Sequence, residues 1–174
     1  MNLLTPNIYK ENIYKIPYLK LKHKGIKCLL FDLDNTCVGY HEKFPTEKLE
    51  KLFIKLNKMG FQVIIFSNAT KKRLVPFKNL PVICHHSSKK PLSINFKKVM
   101  RKYNYLKSEV CIIGDQLFTD ILGGNRVGIT TCLVDPLTKD DFILTKIFRA
   151  LEKGRLQKIK TKSNRKKESL WKNV

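Results

Sequence analysis

Acidic residues are scarce in this 174-residue chain. Fourteen Asp and Glu stand against 35 Lys and Arg, leaving a formal net charge of +21. Such a surface attracts polyanions, and salt weakens the attraction. Arginine is scarce as well, six against 29 lysines. Its planar fork is what base and phosphate readers favour, so the basicity alone does not mark a sequence-specific nucleic-acid reader. A compositional bias toward lysine explains the charge equally well, and nucleic acid and anionic lipid headgroups both stay open as partners. No run approaches the ~18 unbroken apolar residues of a membrane span. Residues 1–21 contain Pro6 and Pro17, alternate apolar with charged residues and lack the apolar stretch of a secretory signal. The expected location is therefore cytoplasmic. The five cysteines, Cys28, Cys37, Cys84, Cys111 and Cys132, form no CxxC and no zinc-like cluster with His. None has Arg six residues later, which excludes the phosphate cradle of a cysteine-nucleophile phosphatase. Three lie inside apolar runs, where Cys acts as a small hydrophobe, and this usage suits a reducing compartment.

What is present is an alternation of short apolar runs with helix-period segments. Cys28-Leu29-Leu30-Phe31 reads as a buried strand ending at Asp32. From Thr46 to Met59, apolar residues at 49, 52, 53, 56 and 59 mark one helix face, with Thr46 as cap, Glu47 and Glu50 in the first turn and Gly60 as stop. Val63–Phe66, Pro81–Cys84, Val110–Ile113 and Thr130–Val134 read as four further strands. Helices are expected from Pro91 to about Tyr103, from Phe118 to Arg126, and from Thr138 to Leu151. Continuous apolar strands separated by helices imply a parallel sheet covered on both faces. In such sheets a ligand sits beyond the carboxyl ends of the strands.

Chemistry-bearing residues collect at those ends. Asp32-Leu33-Asp34-Asn35-Thr36 follows the first predicted strand, Ser67-Asn68 the second, Lys89-Lys90-Pro91 lies a few residues past the third, and Gly114-Asp115 with Thr119-Asp120 follows the fourth. Of seven Asp in the chain, four fall at two of these ends. Carboxylates crowded in a partly buried cleft repel one another. A hard divalent cation with oxygen ligands, Mg²⁺, relieves the repulsion and also binds phosphate oxygens. A strand-end carboxylate can attack phosphorus, and a second carboxylate two residues on lies on the same side and can shuttle protons. The Ser67 hydroxyl and the Lys90 ammonium can hold the remaining phosphoryl oxygens. His85 and His86 follow the third strand but read more simply as loop residues, and Gly123-Gly124 as a close-packing site.

These segments, in this order, resemble the four motifs of the haloacid dehalogenase-like (HAD) phosphohydrolases across 27–136. Ile26-Lys27 before the first motif, Lys89-Lys90-Pro91-Leu92 and the run from Gly114 to Arg126 resemble the YqeG-type members of subclass IIIA more closely. With Pro6-Asn7-Ile8-Tyr9 and Thr145-Lys146-Ile147 added, the likeness extends to about Glu152. That group is similar to phosphatidylglycerophosphate phosphatases. The resemblance implies a Rossmannoid three-layer α/β sandwich with a five-stranded parallel sheet, order 5-4-1-2-3, and no cap domain. It implies Asp32 as nucleophile and Mg²⁺ ligand, and Asp34 as general acid/base giving its backbone carbonyl to Mg²⁺. Asp115 becomes the third metal ligand and Asp120 a supporting residue that holds a metal water or Lys90. Ser67 and Asn68 contact the phosphoryl group, and Lys90 stabilises it. Cys37, where the family usually has Leu, touches packing only.

The expected organisation is an N-terminal segment, 1–26, on or beside the core, a phosphatase domain over 27–152 and a basic, disordered tail over 153–174. That tail holds nine Lys and Arg and one Glu. The spacing of the motifs leaves no room for an inserted cap, which suits a phosphate presented on something large. In the N-terminal segment Ile8, Tyr9, Ile13, Tyr14, Ile16, Tyr18, Leu19 and Leu21 alternate with lysines. These side chains either rest on an anionic bilayer or pack against the domain. The expected activity is Mg²⁺-dependent dephosphorylation of phosphatidylglycerophosphate at the inner membrane face. The alternatives are a nucleic-acid terminus, phosphoprotein or soluble ester as substrate, or a non-catalytic basic binding module.

Overall fold

The computed structural model of the chain describes residues 3–138 and, beyond them, Gly154, Gln157, Ile159 and Thr161. Apart from Thr138 and those four residues, the helix expected from Thr138 and the basic tail lie outside the described residues. In chain order the elements are β1 (Ile8–Lys10), α1 (Tyr18–His23), β2 (Cys28–Phe31), α2 (Glu47–Lys58), β3 (Gln62–Phe66), α3 (Lys71–Leu74), β4 (Ile83–His85), α4 (Ser93–Lys102), β5 (Val110–Gly114), α5 (Leu122–Val127) and β6 (Thr130–Val134). All pairings are parallel, and the order is β1-β6-β5-β2-β3-β4.

The sheet therefore has six strands, not five in the order 5-4-1-2-3. The added strand is β1, which pairs Ile8 with Cys132 and Lys10 with Val134 at the β6 edge. It escapes a periodicity search because it is three residues long and follows Pro6. Side chains reinforce the pairing. The Asn7 N–H donates to Thr131 Oγ1 at 3.1 Å, and Asn7 Oδ1 accepts from the Thr131 N–H at 2.8 Å.

Alternation along the strands sorts the core into two layers. Leu29 and Phe31 of β2 face one side with Leu49, Phe53, Leu56, Leu74 and Phe77, under α1, α2 and α3. Cys28 and Leu30 face the other with Phe96, Val99 and Met100 of α4. Thr46 caps α2 by accepting from the Leu49 N–H at 3.2 Å, and burying Leu49, Phe53 and Leu56 contributes about 1.5–3 kcal/mol per side chain. Ile8, Ile13, Ile16, Tyr18 and Leu21 of the N-terminal segment are buried members of the first layer. Of the two readings of that segment, packing against the domain is the one observed for these five, which leaves none of them to a membrane. Four of the cysteines, all but Cys84, are buried in the two layers, and all five are unpaired.

The contact between α5 and the sheet depends on Gly124. A Cβ there would lie 2.5 Å from Ile112 Cγ2 and 2.6 Å from Thr131 Cγ2, both on β-branched side chains that cannot swing away. Gly124→Ala should lower the melting temperature even though Ala favours a helix by about 1 kcal/mol over Gly, because overpacking costs about 1–3 kcal/mol. Thermal unfolding followed by circular dichroism reads the sign directly.

Candidate active site

Every strand-end motif opens onto one edge of the sheet. A cleft of about 1050 Å³ there is lined by Asp32, Asp34, Ser67, Asn68, Lys90 and Gln116, with Tyr40, His41 and Lys43 from the loop after β2 and Phe118 and Leu122 opposite. At its base Lys90 Nζ lies 2.5 Å from Asp32 Oδ1 and 2.6 Å from Asp120 Oδ1, with all three side chains buried. Carboxylate oxygens of Asp32, Asp115 and Asp120 lie within 4.8 Å of one another. Burial works against the Lys90 charge, but the two carboxylates outweigh it and raise its pKa. Burial pushes Asp120 up from the usual carboxylate range, with Lys90 opposing.

Local backbone builds this cluster. A Cβ on Gly114 would fall 2.2 Å from the Asp120 carboxylate, so the glycine makes the space the acid occupies. The π-helical turn Leu117–Ile121 carries Asp120 back beneath β5, where its Oδ2 accepts from the Gln116 N–H at 3.2 Å. Thr36 Oγ1 donates to Asp115 Oδ1 at 2.8 Å. Among the described residues the non-glycine positions with positive φ are Asn35, Ser87, Lys89 and Asn104. Three of these four border the site, where such strain tends to collect. Lys90 is fixed by its neighbour from β3: Asn68 Oδ1 accepts from the Lys90 N–H at 2.7 Å, and Asn68 Nδ2 donates to the Lys90 carbonyl at 3.1 Å. Lys89, the alternative ammonium, stands exposed.

The remaining expected residues sit nearby with different partners. Ser67 is buried, and its Oγ accepts from the Ala69 N–H at 3.1 Å, so it shapes its own turn while facing the cleft. Asp34 stands outside the three-carboxylate cluster and is engaged by Arg73, whose Nε donates to Asp34 Oδ1 at 3.0 Å. Arg73 Nη2 is 2.8 Å from the same oxygen, close enough for an ion pair but without a hydrogen bond of its own. Burial raises the Asp34 pKa and Arg73 lowers it. Reading strand ends alone misses Arg73, which lies in α3; one of only six arginines, six residues past Ser67, it was the available signal. Gln116 and the Tyr40, His41 and Lys43 wall were also missed, since loop geometry rather than motif places them. His85 hydrogen-bonds Ser88 and packs on Phe66; neither it nor His86 lines the cleft.

Three buried carboxylates and one ammonium leave two negative charges among oxygen donors, a set that fits a divalent cation such as Mg²⁺. Residues 1–138 match the family described as mitochondrial PGP phosphatase. The chain belongs to this family. It is 34% identical over 162 residues to the probable phosphatase YqeG of Bacillus subtilis, covering 91% of this chain and 93% of that one. It is 27% identical over 159 residues to phosphatidylglycerophosphate phosphatase 1, chloroplastic/mitochondrial, of Arabidopsis thaliana, covering 84% of this chain but only 45% of that protein. Among solved structures, a putative HAD-superfamily subfamily III A hydrolase from Legionella pneumophila aligns with a TM-score of 0.52 at 18% identity, over 68% of this chain and 71% of that one, which is a likeness of fold. The chain is thus a phosphatase of this family, with a HAD-like fold and an aspartate cluster able to hold Mg²⁺.

Removing the buried cation while leaving the anions tests the cluster. Lys90→Met should destabilise the protein by about 3–5 kcal/mol in EDTA, the scale for breaking a buried charge pair. Added Mg²⁺ should recover part of that loss by neutralising the carboxylates, and should raise the wild-type melting temperature as well. Calorimetry with and without the metal measures both.

Proposed function

We propose that this phosphatase hydrolyses the monoester of phosphatidylglycerophosphate through an aspartyl-phosphate on Asp32. The observation that carries the chemistry is the Asp32–Lys90–Asp120 bridge beside Asp115 at the base of an open cleft. An Asp32 carboxylate oxygen attacks phosphorus and the ester P–O bond breaks. Asp34 gives its proton to the departing glycerol oxygen, then takes one from the water that attacks the aspartyl-phosphate. Alcohol and inorganic phosphate leave, and Asp32 and Asp34 return to their starting states. Burial, which raises the Asp34 pKa, favours the protonated form the first step needs. Lys90 and the Ser67 hydroxyl hold phosphoryl oxygens as charge builds, and Asn68 positions Lys90 through its backbone. Asp32, Asp115 and the Asp34 carbonyl are the metal ligands in this reading, and Asp120 supports Lys90. When bound, the metal supplies charge neutralisation at the phosphoryl oxygens.

Two observations support the lipid. The connections leaving β2 and β3 carry only a short loop and the helices α2 and α3, leaving the cleft open to a phosphate on a large carrier. Two relatives, the Arabidopsis protein and one from Chlamydomonas reinhardtii, are named as phosphatidylglycerophosphate phosphatases. No helix among the described residues is long and apolar enough to cross a membrane. We place the lipid contact at a membrane surface on the cytoplasmic side. A soluble ester is the second reading. It is favoured by 29% identity over 107 residues, 56% of this chain, to the glyceraldehyde 3-phosphate phosphatase of Pyrococcus abyssi.

Purified protein should release phosphate from phosphatidylglycerophosphate in Mg²⁺. Asp32→Asn should lower turnover by about 10³-fold or more, the scale for losing a nucleophile. Efficient hydrolysis of glyceraldehyde 3-phosphate with none of the lipid would replace the substrate and keep the chemistry.

A further inference from the structure

Nine large apolar side chains stand exposed among the described residues. Four of them, Phe44 (70% exposed), Val75 (51%), Leu92 (54%) and Leu137 (44%), lie in the connections leaving β2, β3, β4 and β6 at the edge of the sheet that carries the cleft. Each is tied to the site. Phe44 follows Lys43 and Leu92 follows Pro91, while Val75 is two residues past Arg73; all three of those neighbours line the cleft. The Leu137 N–H donates to the carbonyl of Asn35 in the Asp32–Thr36 turn at 3.0 Å. The Arg73 guanidinium reaches the Lys43 carbonyl, joining two of these segments. The same connections expose Lys43, Lys71, Lys72, Lys78 and Lys89. Among the described residues of the loops before α2 and after β6, the acidic residues beyond the aspartates of the site are Glu42 and Asp135, which accept hydrogen bonds from the Gly39 N–H and the Tyr9 hydroxyl; Glu47 and Glu50 follow in α2, and Asp140 and Asp141 follow Leu137 in the sequence.

We propose that this rim is a docking face for an anionic lipid bilayer, with Phe44, Val75, Leu92 and Leu137 entering the interface and the five lysines among the headgroups. Scattered exposed hydrophobes need no explanation. A set gathered round an active-site mouth and interleaved with cations is what an interfacial surface requires. Polyanionic nucleic acid would satisfy the lysines and leave the apolar tips in water, so the lipid surface is the better complement. The face differs from the N-terminal segment, whose apolar side chains are largely core. Its purpose rests on the lipid-substrate reading: a headgroup phosphate would meet Asp32 without leaving the membrane.

Co-sedimentation of the full chain tests this. The vesicles are phosphatidylcholine alone or an equal mixture with phosphatidylglycerol, at one moderate salt concentration for every variant, so that the lysine-rich segment 153–174 contributes equally throughout. Wild type should pellet with the mixed vesicles. Phe44→Ser, Val75→Ser and Leu92→Ser together should weaken binding about tenfold or more, because each side chain gives up its apolar burial. The melting temperature should change little, since each of the three is at least half exposed. Leu19→Ser with Leu106→Ser, exposed hydrophobes away from the rim, should bind as wild type. Equal binding by the rim variant, or an equal loss in the control pair, overturns the proposal. So does tighter binding to duplex DNA than to vesicles with both lost in Lys71→Ser with Lys72→Ser, an outcome that assigns the rim to nucleic acid. Phosphate release from phosphatidylglycerophosphate in detergent micelles separates the two readings. Rim-dependent vesicle binding without that release sinks the substrate, and release with rim-independent binding sinks the docking face.

Discussion

The site depends on one buried ammonium. Asp32 leaves β2 and Asp120 leaves the turn after β5, and both carboxylates are turned into a space almost closed to water. Two like charges in that position are tolerable only with a cation between them, and Lys90 supplies it from the connection after β4. The supporting features follow from that need. The Asn68 amide grips the Lys90 backbone at both ends, Gly114 leaves a hollow where a methyl would strike Asp120, and the π-helical turn brings Asp120 back under the strand. Partial charge compensation by Lys90 is what lets acids from two strand ends share this space.

This constraint also explains what the sequence makes readable. Asp32, Ser67, Lys90, Asp115 and Asp120 follow apolar runs, and a parallel sheet sends the ends of such runs to one edge, so their meeting can be inferred before any coordinates. The pairing among them cannot be read from those runs; the family resemblance alone offered Lys90 as a partner for Asp120. That Asp120 joins the carboxylate cluster while Asp34 turns to Arg73 depends on a π-helical turn and on α3, neither of which leaves a periodic trace. The core strands β2, β3, β5 and β6 are legible because burial on both faces demands unbroken Val, Ile, Leu and Phe. Strand β1 is not, because an edge strand of three residues needs only backbone partners and borrows specificity from Asn7 and Thr131. The alternation of apolar residues with lysine in the first 21 residues was ambiguous for the same reason: a segment buried on one side and wet on the other has the pattern of an interfacial one.

The two acids of the first motif meet different cations. Asp32 faces a lysine that is sealed in and held from behind. Asp34 faces an arginine that is partly exposed, stacked near Phe77 and reaching across to the loop that carries Lys43. A fixed, enclosed countercharge stays beside its carboxylate whatever occupies the cleft. A countercharge at the rim is open to competition, because an incoming anion can draw Arg73 toward itself. Burial and the guanidinium act on the Asp34 carboxyl in opposite directions, so its protonation depends on where Arg73 sits. The two positions carry the same residue type and differ in function through their neighbours.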